Sequence, residues 1–154
     1  MSNDTAPKHR IVVEDVLHRI SKELKTLNIK WLLGASGALM VWGVDIEPKD
    51  LDIYVSGADI EKLESFYIDN ITNPLHKEHD DDNNHLEFQM NIDGVDIEIA
   101  EMNYSDSDIN KIRLNEDLIP VYSLEKELEM YRQRNDPKNR IPLIEKRLAE
   151  LKKS

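Results

Sequence analysis

The sequence predicts an α/β (α+β) chain, a small mixed sheet with flanking helices. Three observations lead there. Helical apolar spacings of three and four alternate along the chain with strand spacings of two, in the order helix, strand, helix, strand, helix, hairpin, strand, two helices. Residues 86–92 and 95–99 are two alternating runs joined by Asp93-Gly94, the strongest short-range hairpin signal. The length, 154 residues, corresponds to one domain able to bury a core without disulfide support.

The elements follow in order. The first ten residues carry no periodic pattern and are expected to be loose. Val13, Val16, Leu17, Ile20, Leu24 and Leu27 then fall on one helix face, and Asn28 is the expected stop. Trp31, Leu32 and Leu33 form a short apolar run ending at Gly34, read as a buried strand. Residues 36–42 read as a short helix closed by Gly43. Residues 45–49 are a loop containing Pro48. Leu51, Ile53 and Val55 alternate with Asp50, Asp52 and Tyr54, a clear strand. Residues 59–68 have helical spacing, and the polar stretch 70–84 is expected to be irregular. After the hairpin, residues 118–122 predict a last short strand. Ser123 can cap a helix running to Arg132, and a final helix follows Pro137 and Pro142, with Lys152 and Lys153 at its negative end.

Composition excludes several classes of function. The chain has no cysteine, so thiol nucleophiles, thiolate zinc sites and iron–sulfur clusters are out. No apolar run is long enough to span a bilayer, and the opening MSNDTAPKHR lacks the apolar core of a signal peptide. A soluble cytoplasmic protein with no membrane contact is expected. The net charge is −11, and it is uneven. Residues 44–108 hold nineteen acids against three bases, whereas residues 138–154 hold six bases and two acids. Such an acidic centre argues against non-specific DNA binding, which needs cations to displace counterions, and it permits divalent cations. His76, His79 and His85 flank an Asp-rich run in the polar stretch; they could together take a transition metal, but are expected to be solvated.

Three pieces carry chemistry. Gly34-Ala35-Ser36-Gly37 lies between a strand and a new helix; small residues admit a ligand close to the backbone, and free N–H groups with the Ser36 hydroxyl suit a di- or triphosphate. Asp50 and Asp52 share one strand face, where two desolvated carboxylates repel each other unless a divalent cation lies between them. Magnesium favours a few carboxylates together with phosphate oxygens. Asp96 and Glu98 likewise share a face of the second hairpin strand, and one of them could complete a two-metal site.

The run Leu33-Gly34-Ala35-Ser36, a 13-residue gap and Asp50-Leu51-Asp52-Ile53 closely resembles the signature of the nucleotidyltransferase superfamily with the polymerase-beta-like fold. The stretch 31–55 is most similar to small bacterial and archaeal members related to lincosamide and aminoglycoside nucleotidyltransferases and to toxin–antitoxin systems. Ile119-Pro120-Val121, Leu124-Glu125-Lys126-Glu127 and Tyr131 in the tail have the same look. The resemblance implies one nucleotidyltransferase domain over residues 1–154, with 123–154 as its C-terminal helical segment. It implies that Gly34, Ala35 and Ser36 hold the phosphates of a nucleoside triphosphate and that Asp50 and Asp52 bind Mg²⁺, two ions in all. Glu98 is the favoured third acid, because Gly94-Val95-Asp96-Ile97-Glu98 fits the small members' pattern, with Asp96 the runner-up. Lys49, beside the acids, is a candidate phosphate contact. The reaction implied is transfer of a nucleoside monophosphate, most simply AMP from ATP, to an acceptor hydroxyl on a small molecule, protein or RNA. The alternative is an antitoxin-like or regulatory module that keeps the fold without turnover. A second subunit in a homodimer, or a partner protein, could supply the acceptor surface that so short a chain lacks.

Overall fold

The computed structural model describes residues 5–80, 83–136 and 138–153. The expectations that fall on the first four residues, Asp81, Asp82 and Pro137 lie outside them. Among the described residues there are five α-helices, α1 (Thr5–Thr26), α2 (Ala35–Val41), α3 (Gly57–Phe66), α4 (Leu124–Gln133) and α5 (Ile141–Lys153). Seven strands, β1 (Trp31–Gly34), β2 (Asp50–Val55), β3 (Ile71–Asp80), β4 (Asn83–Ile92), β5 (Val95–Glu101), β6 (Ile109–Leu114) and β7 (Asp117–Tyr122), form one mixed sheet in the order β3-β4-β5-β2-β1-β7-β6. β1 runs antiparallel to β2, whereas β2–β5 and β1–β7 are parallel pairs. No helix is long and apolar enough to cross a membrane among the described residues.

The apolar periodicity builds the core as expected. Val13, Val16, Leu17, Ile20 and Leu24 of α1 are buried with Leu51, Ile53 and Val55 of β2, Ile97 and Ile99 of β5 and Phe88 and Met90 of β4. α3 adds Ile60 and Leu63 to the same cluster. A second, smaller cluster joins Leu39 of α2 to Leu124 and Leu128 of α4 and Ile144 of α5. Two hydrogen bonds fasten this corner: Trp42 Nε1 donates to the Tyr122 carbonyl at 2.8 Å, and Arg147 Nε donates to the Trp42 carbonyl at 2.8 Å. Ser123 caps α4 as expected, its hydroxyl accepting from Lys126 N at 3.1 Å.

Three expectations are corrected. Helix α1 starts at Thr5, well before Val13 and inside the stretch expected to be loose. The polar stretch 70–84 is not irregular: it contributes β3 and the start of β4, which pair as an antiparallel hairpin. β3 hides from pattern reading because it is an edge strand with few apolar residues, interrupted by Pro74 and by register shifts between Ile71 and His76. Edge strands tolerate proline because one row of their N–H groups needs no ladder partner. The other missed strand, β6, is the opposite edge. The core strands were legible; the two rims were not.

Candidate active site

The acids lie where three adjacent strands meet. In β1, Gly34 pairs with Asp52 of β2. On the other side of β2, Asp52 pairs with Glu98 of β5, and Asp50 with Asp96. In this parallel register the four acids share one face of the sheet, while Leu51, Ile53, Ile97 and Ile99 point into the core from the other. The local alternation of each strand therefore aims the acids, and strand pairing gathers them.

Two adjoining clefts open on this face. The smaller, about 210 Å³, is lined by Ala35, Ser36, Asp50, Asp52 and Tyr54 on the sheet side and by Glu127, Tyr131, Arg134, Lys138 and Arg140 from α4 and the loop after it. The larger, about 690 Å³, shares Ala35, Asp52, Tyr54 and Arg134 and extends over Glu98, His85, Glu87 and Met102. Asp52 belongs to both, so it stands at their junction.

The turn before α2 is shaped by backbone geometry. Ala35 has φ 51, a left-handed conformation that costs a residue with a Cβ roughly 1–2 kcal/mol. Glycine, with no Cβ, would take this conformation without that cost. Gly34 has an ordinary extended φ, but a Cβ there would collide with the Tyr54 ring. At Gly37 a Cβ would meet Leu33 Cδ1 at 2.9 Å and Leu51 Cδ2 at 3.1 Å, so this glycine serves tight packing of α2 on the sheet. Ser36 is buried and lines the smaller cleft.

Burial and neighbouring acids raise Asp52 and Glu98. Asp52 is pushed up to about 6, mainly by desolvation and next by Asp50, with Arg134 and Lys138 pulling the other way. Glu98 is pushed up to about 7 by desolvation, then by Glu87 and Asp52, while the Gln89 amide, 3.2 Å away, opposes the rise. Asp96 has a different setting. It is exposed, accepts from Asn91 Nδ2 at 2.9 Å, and lines neither cleft. Lys49 is also exposed and lines neither cleft. The structure thus brings Gly34, Ala35, Ser36, Asp50, Asp52 and Glu98 together, and leaves Asp96 and Lys49 aside.

Several cleft residues were missed in the sequence. Glu127 is 0% exposed, and neither of its carboxylate oxygens has a hydrogen-bond partner. Burial pushes it up to about 7, with Arg134 opposing and Asp52 adding to the rise. The sequence marks it only within the run Leu124-Glu125-Lys126-Glu127 of the resembling tail, with no role attached. Arg134, Lys138 and Arg140 come from the α4–α5 connection, where Asn135, Asp136 and Asn139 all have left-handed φ. Asp136 fastens that loop, its carboxylate accepting from Arg140 N at 2.6 Å and Ile141 N at 3.1 Å.

One group of three side chains among the described residues has all its ligand atoms within 4.8 Å, and it is His76, Glu78 and Glu87 on the β3–β4 hairpin. These could hold a divalent cation. The expectation that His76, His79 and His85 are all solvated is therefore corrected in part: His79 is exposed, but His76 and His85 are half-buried, with their Nε2 atoms 3.8 and 2.7 Å from Glu87 carboxylate oxygens.

No family model matches the chain, and no curated protein does. Solved structures do match. A Thermotoga maritima protein described only provisionally as a nucleotidyltransferase superposes with a TM-score of 0.74 at 20% identity, over 94% of this chain and 96% of its own. The lincosamide antibiotic adenylyltransferase LnuA, solved with lincomycin bound, superposes with a TM-score of 0.63 at 17% identity, over 88% of this chain and 96% of its own. With the mixed sheet, the glycine turn beside β2 and near-complete mutual coverage, the chain has the nucleotidyltransferase (polymerase-beta-like) superfamily fold.

Proposed function

We propose that the protein is a Mg²⁺-dependent nucleotidyltransferase that moves a nucleoside monophosphate, most simply AMP from ATP, onto an acceptor hydroxyl. The observation that carries this reading is the register: Asp52 has Gly34 of the turn on one side and Glu98 on the other. A turn of small residues, paired acids and a third acid are then neighbours across three strands.

The residues fit divalent metal. Asp52 and Glu98 are held above the ordinary carboxylate range by burial and by neighbouring acids, which is the penalty a bound dication removes. Asp50, Asp52 and Glu98 would hold it; bound there, Mg²⁺ supplies charge for the entering and leaving oxygens of an in-line displacement at the α-phosphorus. The chain's own residues do the rest. The turn at Gly34, Ala35 and Ser36 seats the phosphates. Arg134, Lys138 and Arg140 face it from across the smaller cleft and offset phosphate charge. Glu98, on the wall of the larger cleft, is the group placed to take the acceptor hydroxyl's proton. That cleft has the volume of a small-molecule site. LnuA, a protein of this fold, was solved with such a molecule bound.

The test is transfer from an α-labelled nucleoside triphosphate with Mg²⁺, offered a cell lysate as the source of acceptor. Label should pass to an acceptor with release of pyrophosphate, and Asp52→Asn should abolish it. Equal labelling by Asp52→Asn would contradict the assigned site.

A further inference from the structure

We propose that the β3–β4 hairpin carries a second metal site, separate from the Asp50–Asp52 acids, which takes a first-row transition ion of the Zn²⁺ class through His76 Nε2, Glu78 and Glu87. It does not rest on the reading above, because none of its ligands is Asp50, Asp52 or Glu98, although Gln89 links Glu87 to Glu98.

The strand register makes the site. His76 lies opposite Glu87 and Glu78 opposite His85. Residues two apart on a strand share a face, so the four side chains form a square of alternating imidazole and carboxylate on one side of the hairpin. His76 Nε2 is 3.0 Å from Glu78 Oε2 and 3.8 Å from Glu87 Oε2. Ligand atoms about 2.0–2.2 Å from a tetrahedral zinc lie roughly 3.3–3.5 Å from one another. The two histidine distances bracket that spacing, and all three ligand atoms lie within 4.8 Å of one another, so the carboxylates would close around an entering cation.

A supporting layer is also present. His76 Nδ1 lies 2.7 Å from the Pro74 carbonyl. A carbonyl only accepts, so Nδ1 carries a proton; Nε2 faces carboxylates that likewise only accept, so its proton is the one an entering cation displaces. A backbone carbonyl on the far ring nitrogen is the arrangement that orients histidine ligands in metal sites. Glu87 is held from both sides. Its Oε1 accepts from His85 Nε2 at 2.7 Å and its Oε2 from Gln89 Nε2 at 2.5 Å. Buried and doubly held, it is the rigid ligand; Glu78 is the exposed one that can swing in. An imidazole in the set favours zinc, cobalt or nickel over magnesium, which prefers oxygen ligands alone. Three protein ligands leave at least one coordination position open, and Glu87 and His85 line the larger cleft.

The test uses the full-length, untagged chain titrated with Co²⁺, followed by its visible d–d absorption, and with Zn²⁺ as competitor. One Co²⁺ per chain should bind and be displaced by Zn²⁺. His76→Gln and Glu87→Gln should each weaken Co²⁺ binding at least tenfold, and the doubly substituted Asp50→Asn/Asp52→Asn chain should bind it as the parent does. Glu78→Gln, at an exposed position, supplies a variant that leaves the core untouched should Glu87→Gln fail to fold; it too should weaken binding. Co²⁺ binding that ignores the hairpin substitutions, vanishes with Asp50 and Asp52, or fails in the parent chain would overturn the proposal.

Discussion

Asp52 is the residue on which most depends. It pairs with Gly34 and with Glu98, and it belongs to both clefts. Asp52→Asn should therefore cost at least three orders of magnitude in transfer rate while leaving the far-ultraviolet circular dichroism unchanged. Glu127 offers the opposite trade. Its carboxylate is fully buried without a hydrogen-bond partner, so the ionised form is held at a cost. Glu127→Gln should stabilise the free protein by about 1–3 kcal/mol at pH 8 and by little at pH 5, read as urea midpoints at the two pH values. Equal effects at both would show that ionisation is not the source. Gly34 is constrained by the Tyr54 ring lying against it rather than by its φ. Gly34→Ala should displace that ring and lose both stability and transfer, whereas pairing it with Tyr54→Ala should recover stability alone.

At the scale of elements, the α4–α5 connection matters most. Arg134, Lys138 and Arg140 reach the smaller cleft from a loop of three left-handed residues tied down by Asp136. Arg134→Ala and Lys138→Ala should each weaken triphosphate binding about tenfold, the loss of one charge-assisted contact, with little change in melting temperature. Asp136→Ala should lower stability by about 1 kcal/mol, the usual cost of a lost helix cap, and weaken triphosphate binding as well. The same connection shows why part of the site was illegible. Asp50, Asp52 and Glu98 could be read because strand alternation puts acids on a face where β-structure disfavours them. Gly34–Ser36 could be read from small residues between a strand and a helix. Arg134 carries no such local mark, and Glu127 only the resemblance of the tail; they become site residues when the α4 helix packs Leu124 and Leu128 against Leu39. The hairpin rim failed for another reason. With little apolar surface in β3, its strand character comes from pairing with β4 and not from a pattern of its own.

For the whole molecule, the acid cluster couples charge to stability. Asp52, Glu98 and Glu127 are all raised above their unfolded values, to about 6, 7 and 7. Below about pH 3 each is protonated in both states and costs nothing. As pH rises toward 7 the unfolded chain releases these protons first, so the native state binds more protons and stability falls. Without divalent ions the melting temperature should decline from pH 5 to pH 8 for this reason. A dication held by the same acids should reverse the decline by favouring their ionised form. The most direct measurement is the melting temperature at pH 5 and pH 8, with and without Mg²⁺ and a non-hydrolysable nucleoside triphosphate, for the parent chain and Asp52→Asn. The parent should gain several degrees at pH 8 and far less at pH 5, and Asp52→Asn should gain almost nothing at either. A gain that survives Asp52→Asn in full, or none in the parent at pH 8, would contradict a metal–triphosphate site built on β2.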